Sequence, residues 1–246
     1  MDAESGSRGS SVGSTTEVIP KKLLFASLQE AKLCALLGDM CSKGLESDRV
    51  FLSIDAEVQY YPFCADFGPL SLGDMHNFGN TIERKMRKVC EEQGKLLVVY
   101  SSVNPQQRTN AACLLASWLV MRLGWNPEEA WEPFRFAGAD PFVAFRDASF
   151  EEPAHTVSAE DVLRGLYKAR EGRLLSLAAH DPHFHKMHDS PFGGDLHRIG
   201  DRFVIFRGPE DEPNSDPCKG LVTLPPSWYL RAFKHCSVGT IVRLMG

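Results

Sequence analysis

Residues 96–116 read LLVVYSSVNPQQRTNAACLLA and predict a strand, a short polar loop and a helix in direct succession. The run from Leu96 to Tyr100 is apolar, as expected for a buried strand. An apolar helix is predicted to begin near Thr109. Because the N-terminus of a helix attracts anions, this stretch has the plan of a phosphate-binding loop.

The residues inside the loop argue against catalysis. Cysteine-dependent protein phosphatases use this plan with C-x5-R in the loop, whereas here the spacing survives as Ser102-x5-Arg108, followed by Thr109. The chemistry needs a thiolate, and the loop has no His that would activate the serine hydroxyl instead. Three interpretations stay open for Ser102, Arg108 and Thr109: weak phosphate binding, a structural role, and catalysis.

Composition restricts the function classes. The net charge of −5 argues against general nucleic-acid binding, and no apolar run is long enough for a membrane span. The seven cysteines contain no C-x2-C pair, which favours a reducing compartment, the cytoplasm or the nucleus. We therefore expect neither a nucleic-acid partner nor a membrane partner.

Periodicity and capping signals predict the remaining elements. Helices are predicted over 22–43, 71–93 and 109–123. Further helices are predicted to start at Asn126-Pro127, to run from 158 to about 177, and to run from Pro225 to about 233. Strands are predicted over 49–54, 202–206 and 239–246. The organisation expected is a disordered tail over 1–20, an α/β domain over 21–179, a linker over 180–200, and a second α/β domain that begins at 201 and is truncated at 246.

Several segments together resemble the cell-division-cycle-fourteen family of dual-specificity protein phosphatases. The segments that carry the resemblance are Ser53-Ile54-Asp55, YPFCADFGPL at 61–70, RTNAA at 108–112, FRDASF at 145–150, and the stretches 203–209 and 240–244. The resemblance implies two domains with the dual-specificity phosphatase fold, a central sheet flanked by helices. It also implies that the first domain is catalytically silent and shapes the substrate groove, while the second carries the catalytic loop. No cofactor is implied, and the implied partners are phosphoprotein substrates and the chain's own C-terminal catalytic domain.

One further stretch imitates the catalytic signature. His235-Cys236 is followed by Arg243, but the spacing is one residue too long, a helix precedes the Cys, and Arg243 falls in a predicted strand. The loop N–H groups of such an arrangement would not converge on a phosphate. We therefore expect no catalytic residue in this chain.

The predicted linker contains a second candidate site. The family linker places three acidic residues in E-x2-E-x5-D spacing to receive a basic residue of the substrate, and the matching positions are Lys186, Asp189 and Asp195. The reversed charge at Lys186 implies weaker selectivity, and ordinary solvated linker charges are the alternative. The nearby histidines 183, 185, 188 and 197 lack a persuasive ligand set, so no metal site is predicted.

These observations predict the N-terminal, non-catalytic part of a dual-specificity protein phosphatase together with the start of its catalytic domain. The principal alternative is a stand-alone pseudophosphatase that binds phosphoproteins. A third interpretation is a small-molecule phosphatase, because one fold serves many substrates.

Overall fold

The computed structural model describes residues 15–28, 48–62, 64–135, 142–175, 181–200, 202–211, 215–216 and 221–244. The chain divides into two compact units, the first with residues 1–58, 83–112 and 131–143, and the second with residues 59–82, 113–130 and 144–246. The domain limits expected from the sequence stay predictions.

A four-stranded sheet forms the centre of the first unit. Its strands are β1 (Thr15–Ile19), β2 (Leu23–Ser27), β3 (Arg49–Ser53) and β4 (Leu96–Ser101), in the order β1-β2-β4-β3. β1 is antiparallel to β2, whereas β2 and β3 both run parallel to β4. A strand paired on both sides in a parallel sheet is expected to be apolar, and residues 97–99 of β4 are buried. The strands predicted at 49–54 and 96–100 are confirmed.

Helices and short strand pairs make up the other elements. The helices are α1 (Leu72–Met86), α2 (Pro105–Leu123), α3 (Pro127–Arg135), α4 (Ala159–Glu171), α5 (Pro182–His188) and α6 (Pro226–His235). α1 continues as a π-helical segment, Arg87–Glu92, and a 3₁₀ turn covers Pro191–Gly193. The paired short strands are β5 (Phe145–Arg146) with β6 (Thr156–Val157), β7 (His197–Ile199) with β8 (Phe203–Ile205), and β9 (Ser215–Asp216) with β10 (Leu221–Val222).

Local capping explains where several helices begin and end. The Asn126 side chain accepts a hydrogen bond from the Glu129 N–H at 2.8 Å at the start of α3. Ser158 and Asp161 form a reciprocal capping box at the start of α4. Gly124, which follows α2, has a φ of 78°, a conformation that glycine adopts without strain. These helix starts and the end of α2 confirm the predictions.

Aromatic side chains build the core of the first unit between α3 and the sheet. Phe25 of β2 meets Phe134 of α3 edge-on at a ring distance of 5.4 Å, and Trp131 stacks on Phe134 at 5.3 Å. The Thr16 hydroxyl of β1 also donates a hydrogen bond to the Pro133 carbonyl. These contacts explain why Phe134 is 1% exposed. The sheet flanked by helices confirms the predicted α/β class.

The second unit has its own apolar cluster around α6. Leu196, Tyr229 and Ala232 are buried, and the aromatic side chains that pack against them are Phe184, Phe206, Trp228 and Phe233. Residues on both sides of the predicted linker limit at 200 thus share one cluster. No helix within the described residues combines the length and apolar character that a membrane span requires.

Two predictions near the N-terminus are wrong. The disordered tail was expected to reach residue 20, but Thr15–Ile19 form β1, whose Val18 is buried. The helix expected over 22–43 is contradicted by β2, while residues 29–43 lie outside the described part of the chain. Pairing of β2 with both β1 and β4 outweighed the helical spacing of its leucines.

Three predictions in the C-terminal half are corrected. The helix expected to reach about 177 ends at Glu171, because Gly172 caps its C-terminus. The linker over 180–200 contains α5 and β7. Residues 239–244 form no strand, and Ile241, Val242 and Leu244 are exposed. These three apolar side chains therefore add no burial to the core.

Replacement of Phe134 by Ala is expected to lower the free energy of unfolding by about 3–5 kcal/mol, because it leaves a cavity against Phe25. Urea denaturation measures this change. Phe150 is 85% exposed and supplies the matched control, since Phe150→Ala is expected to change stability by about 0.5 kcal/mol or less. Equal losses in the two variants would contradict the packing described.

Candidate functional site

The strand–loop–helix of residues 96–116 is present, but its loop is shorter than predicted. β4 ends at Ser101 and α2 begins at Pro105, so only residues 102–104 connect them. The helix expected near Thr109 therefore starts four residues earlier, and Arg108 lies within it. Asn104 at the N-cap and Pro105 at the first helical position explain this early start.

Four N–H groups in and beside the loop, those of Ser102, Asn104, Gln106 and Gln107, are bonded within the protein. The Ser102 N–H donates to the Asp55 carboxylate at 2.7 Å, and the Asn104 N–H donates to the Ser102 hydroxyl at 3.2 Å. The Asn104 side-chain oxygen accepts from the N–H groups of Gln106 and Gln107 at 3.0 and 3.2 Å. Pro105 has no N–H. Asp55 and Asn104 thus take three of the donors that a phosphate at this helix N-terminus would use, the N–H groups of Ser102, Gln106 and Gln107.

Arg108 and Thr109 point into the protein. Arg108 is 5% exposed, and its guanidinium lies 4.0 Å from the centre of the Phe142 ring. Thr109 is fully buried, and its hydroxyl accepts a hydrogen bond from the Val143 N–H at 3.0 Å. Both side chains therefore hold residues 142–143 against α2, which favours the structural interpretation.

The Ser102 side chain has no base to activate it. Its hydroxyl donates to the side-chain oxygen of Gln107, which does not take up a proton at neutral pH. The Asp55 carboxylate accepts a hydrogen bond from the Ser102 N–H rather than from the Ser102 hydroxyl. Sequence reasoning named Asp55 only as part of a motif. A better signal was available, because the carboxyl ends of neighbouring parallel strands β3 and β4 lie at one edge of the sheet.

The second candidate site lies in a cleft of about 1570 Å³ within the second unit. Both predicted groove residues, Asp189 and Asp195, line it. The side chain of Lys186, the third predicted position, lies outside the described part of the chain. Whether this cleft receives a basic residue of a substrate stays a prediction.

Asp189 is held between two histidines. One carboxylate oxygen lies 2.6 Å from Nε2 of His185, and the other lies 3.3 Å from Nδ1 of His197. Burial disfavours the ionised carboxylate of Asp189, but the hydrogen bonds and charges of its partners, with His185 first among them, outweigh burial. The pKa of Asp189 therefore lies below its ordinary value.

Asp195 has a different environment. Its carboxylate lies 2.5 Å from Nη2 of Arg207, whose Nη1 donates to the Val222 carbonyl at 2.8 Å. Burial is the largest influence and raises the pKa of Asp195, although the charge of Arg207 opposes it. The two predicted groove carboxylates are thus both paired, one with histidines and the other with an arginine.

His185 also contacts the N-terminus of α1. The Ser71 hydroxyl lies 3.2 Å from Nε2 of His185, and Ser71 and Asp74 cap the helix reciprocally. A Cβ atom built on Gly73 would lie 1.6 Å from the His185 ring. This position therefore requires glycine while the ring occupies its present place. Sequence reasoning considered His185 only as a metal ligand and missed this network.

The imitation of the catalytic signature forms no phosphate loop. Cys236 caps the C-terminus of α6, where its N–H donates to the Ala232 carbonyl at 2.9 Å. Burial raises the pKa of the Cys236 thiol, the opposite of what a nucleophile needs. The strand expected around Arg243 is absent. Among the described side chains, no group of three or more His, Cys, Asp or Glu is arranged to hold a metal ion.

Residues 17–169 match the family model for the N-terminal half of dual specificity protein phosphatases. The chain therefore belongs to this family, as the sequence resemblance implied.

The curated relatives belong to one group of these phosphatases. The tyrosine-protein phosphatase CDC14 homolog of Schizosaccharomyces pombe is 32% identical over 199 residues, which are 80% of this chain and 35% of the relative. The dual specificity protein phosphatase CDC14A of Mus musculus is 31% identical over 195 residues, 79% of this chain and 32% of the relative. The chain spans about a third of the length of the curated relatives it matches.

A solved structure is also similar in part. The crystal structure of PTPMT1 in complex with PI(5)P shares 16% sequence identity at a TM-score of 0.33, covering 65% of this chain and 99% of that chain.

Ser102→Cys is expected to leave the chain without phosphatase activity, because the loop N–H groups stay bonded to Asp55 and Asn104. Turnover of p-nitrophenyl phosphate by the purified variant measures this. Wild-type chain is the control. A rate in Ser102→Cys above that of wild type would show that the loop opens to phosphate.

Asp189→Asn tests the pairing of Asp189. Because the pKa of Asp189 is lower in the folded chain than in the unfolded chain, ionised Asp189 stabilises the fold at pH values above the unfolded-state pKa. This contribution is lost as the pH falls through the folded-state pKa. The stability difference between wild type and Asp189→Asn should therefore shrink between about pH 5 and about pH 3. Urea denaturation across this range measures it, and both chains retain Asp74 and Asp195. A difference that grows towards the acidic end would contradict the pairing.

Proposed function

We propose that this chain is the non-catalytic N-terminal part of a CDC14-type dual-specificity protein phosphatase, which scaffolds the catalytic domain and shapes the groove for phosphoprotein substrates. Membership in the family and the CDC14 relatives support the phosphatase assignment. The single observation that carries the non-catalytic role is the closed loop, in which Asp55 and Asn104 take the N–H groups.

The sequence supports the same division of labour. No C-x5-R occurs anywhere in the 246 residues, and Ser102 stands at the Cys position of the one strand–loop–helix with the right spacing. In the intact protein, the nucleophilic Cys, the phosphate-binding Arg and the acid Asp would come from a catalytic domain outside these residues. Attack of the thiolate would form a phosphocysteine, and the Asp would protonate the leaving oxygen.

The groove function is proposed for the cleft of the second unit. Asp189 and Asp195 line it at the positions where the family resemblance implies acceptance of a basic residue. Both carboxylates have partners inside the protein, Asp195 in an ion pair with Arg207 and Asp189 in contacts with two histidines. This arrangement supports modest selectivity for a basic residue, since the carboxylates already have partners before a substrate cation arrives.

The alternative function is a stand-alone module that binds phosphoproteins through the Arg108 loop. It requires an accessible guanidinium and open N–H groups. The burial of Arg108 and the bonds of the loop argue against it. If it were correct, phosphopeptide binding would weaken in Arg108→Ala.

The purified 246-residue chain is expected to show no thiol-dependent hydrolysis of p-nitrophenyl phosphate. Cys236→Ser is the informative variant, because Cys236 is the Cys of the imitation signature. Wild type and Cys236→Ser should give the same background rate, and iodoacetamide should not change it. Wild-type turnover that disappears in Cys236→Ser would overturn the proposal.

A further inference from the structure

We propose that His185 and His197 are specificity-determining residues that make recognition of a substrate cation by Asp189 dependent on pH. The inference rests on the proposed groove function and adds its regulation. It follows from the contacts around one carboxylate and from the chemistry of imidazole.

The two histidines contact different oxygens of Asp189. His185 reaches one oxygen from α5, whose C-terminus Asp189 caps, and His197 reaches the other from β7. The Asp189 side chain is 14% exposed, so little of the carboxylate faces solvent. A lysine or arginine of a substrate would therefore meet a carboxylate with a histidine on each side.

Charged groups of both signs surround the two histidines. The carboxylates are Asp74 beside Ser71, Asp189 between the two rings, and Asp195. Arg207 pairs with Asp195 and stays charged at all relevant pH values. With both imidazoles neutral, these three carboxylates and the Arg207 guanidinium sum to −2, and with both imidazoles protonated the six groups sum to zero. The cleft is also lined by other charged or titratable side chains: Asp66, Arg173, Asp181, Arg198, Arg202 and His235.

Protonation therefore changes what an arriving cation meets. A neutral imidazole donates a hydrogen bond and leaves the negative charge of Asp189 in place, whereas an imidazolium cancels it. The imidazole is the side chain that ordinarily changes charge between pH 5 and 8. A substrate cation thus competes with two internal cations when both imidazoles are protonated, and with none at Asp189 when both are neutral.

Protonation of Asp74 and Asp195 would also weaken the attraction of a substrate cation. Burial raises the pKa of Asp74 and of Asp195, so their protonation at acidic pH would also remove negative charge. Variants of the histidines are needed to separate the two contributions.

The test is a titration of the full 246-residue chain with two peptides, followed by nuclear magnetic resonance. Both peptides contain phosphoserine–proline, and they differ by Lys against Gln three residues after the phosphoserine. Dissociation constants are measured at about pH 8 and about pH 5.5, near the two ends of the range over which a histidine side chain ordinarily changes charge. The preference for the Lys peptide is expected to be about fivefold smaller at the acidic value.

Three variants assign the effect. His185→Gln with His197→Gln should keep the preference for the Lys peptide nearly equal at the two pH values. His197→Gln alone is the milder variant, since that side chain is 43% exposed and its loss disturbs little packing. His155→Gln is the matched control, because His155 is exposed and does not line the cleft, and it should retain the wild-type pH dependence.

The outcomes separate the inference from the function on which it rests. Equal binding of the Lys and Gln peptides at both pH values would overturn the groove function and the inference together. A preference for Lys that does not vary with pH, or that still varies in the double variant, would overturn the inference alone. A preference that weakens at acidic pH in wild type and His155→Gln, and not in the double variant, supports both.

Discussion

The hydrogen bond from the Ser102 N–H to the Asp55 carboxylate is the constraint on which the geometry of the first unit depends. It joins the ends of β3 and β4, the two strands whose carboxyl ends meet at one edge of the sheet. With Asn104 capping α2, the turn between β4 and α2 needs only three residues. The short turn carries Arg108 and Thr109 inward, where they hold residues 142–143. A carboxylate supplied by the chain itself has taken the place of an anionic ligand.

This arrangement is compatible with a strand, turn and helix of the phosphatase plan in which Ser102 stands at the Cys position of the C-x5-R spacing. The helix N-terminus attracts negative charge whatever its source, and Asn104 satisfies the donors that remain. The N–H groups of Ser102, Gln106 and Gln107 therefore have acceptors within the chain. Under the proposed function, the first unit serves as a scaffold and the cleft of the second unit receives the substrate cation.

Sequence reasoning succeeded where local signals and burial agree. β4, α1, α3, α4 and α6 follow from apolar periodicity, Asn-Pro or Ser-x-x-Asp starts and the glycine after α2. It failed at β2, where apolar residues at helical spacing are paired between two strands, since pairing depends on segments distant in sequence. The start of α2 at Asn104-Pro105 could have been predicted, because Asn126-Pro127 is the same helix-start signal. The prediction placed the start at Thr109 instead, because it followed the C-x5-R spacing. Of the site residues, Ser102 and Arg108 were found by their spacing. The fold alone brings Asp55 to Ser102, Ser71 to His185, and His197 to Asp189.

The contact between Gly73 and the His185 ring links two positions separated by more than a hundred residues. Because no side chain fits at position 73 while the His185 ring occupies its present place, a larger residue there requires the ring to move or to be replaced. Alanine or serine at the start of α1 would therefore disturb one partner of Asp189. Co-variation of these two positions among homologous chains would therefore record, as a historical trace, which of them keep a histidine-bound groove.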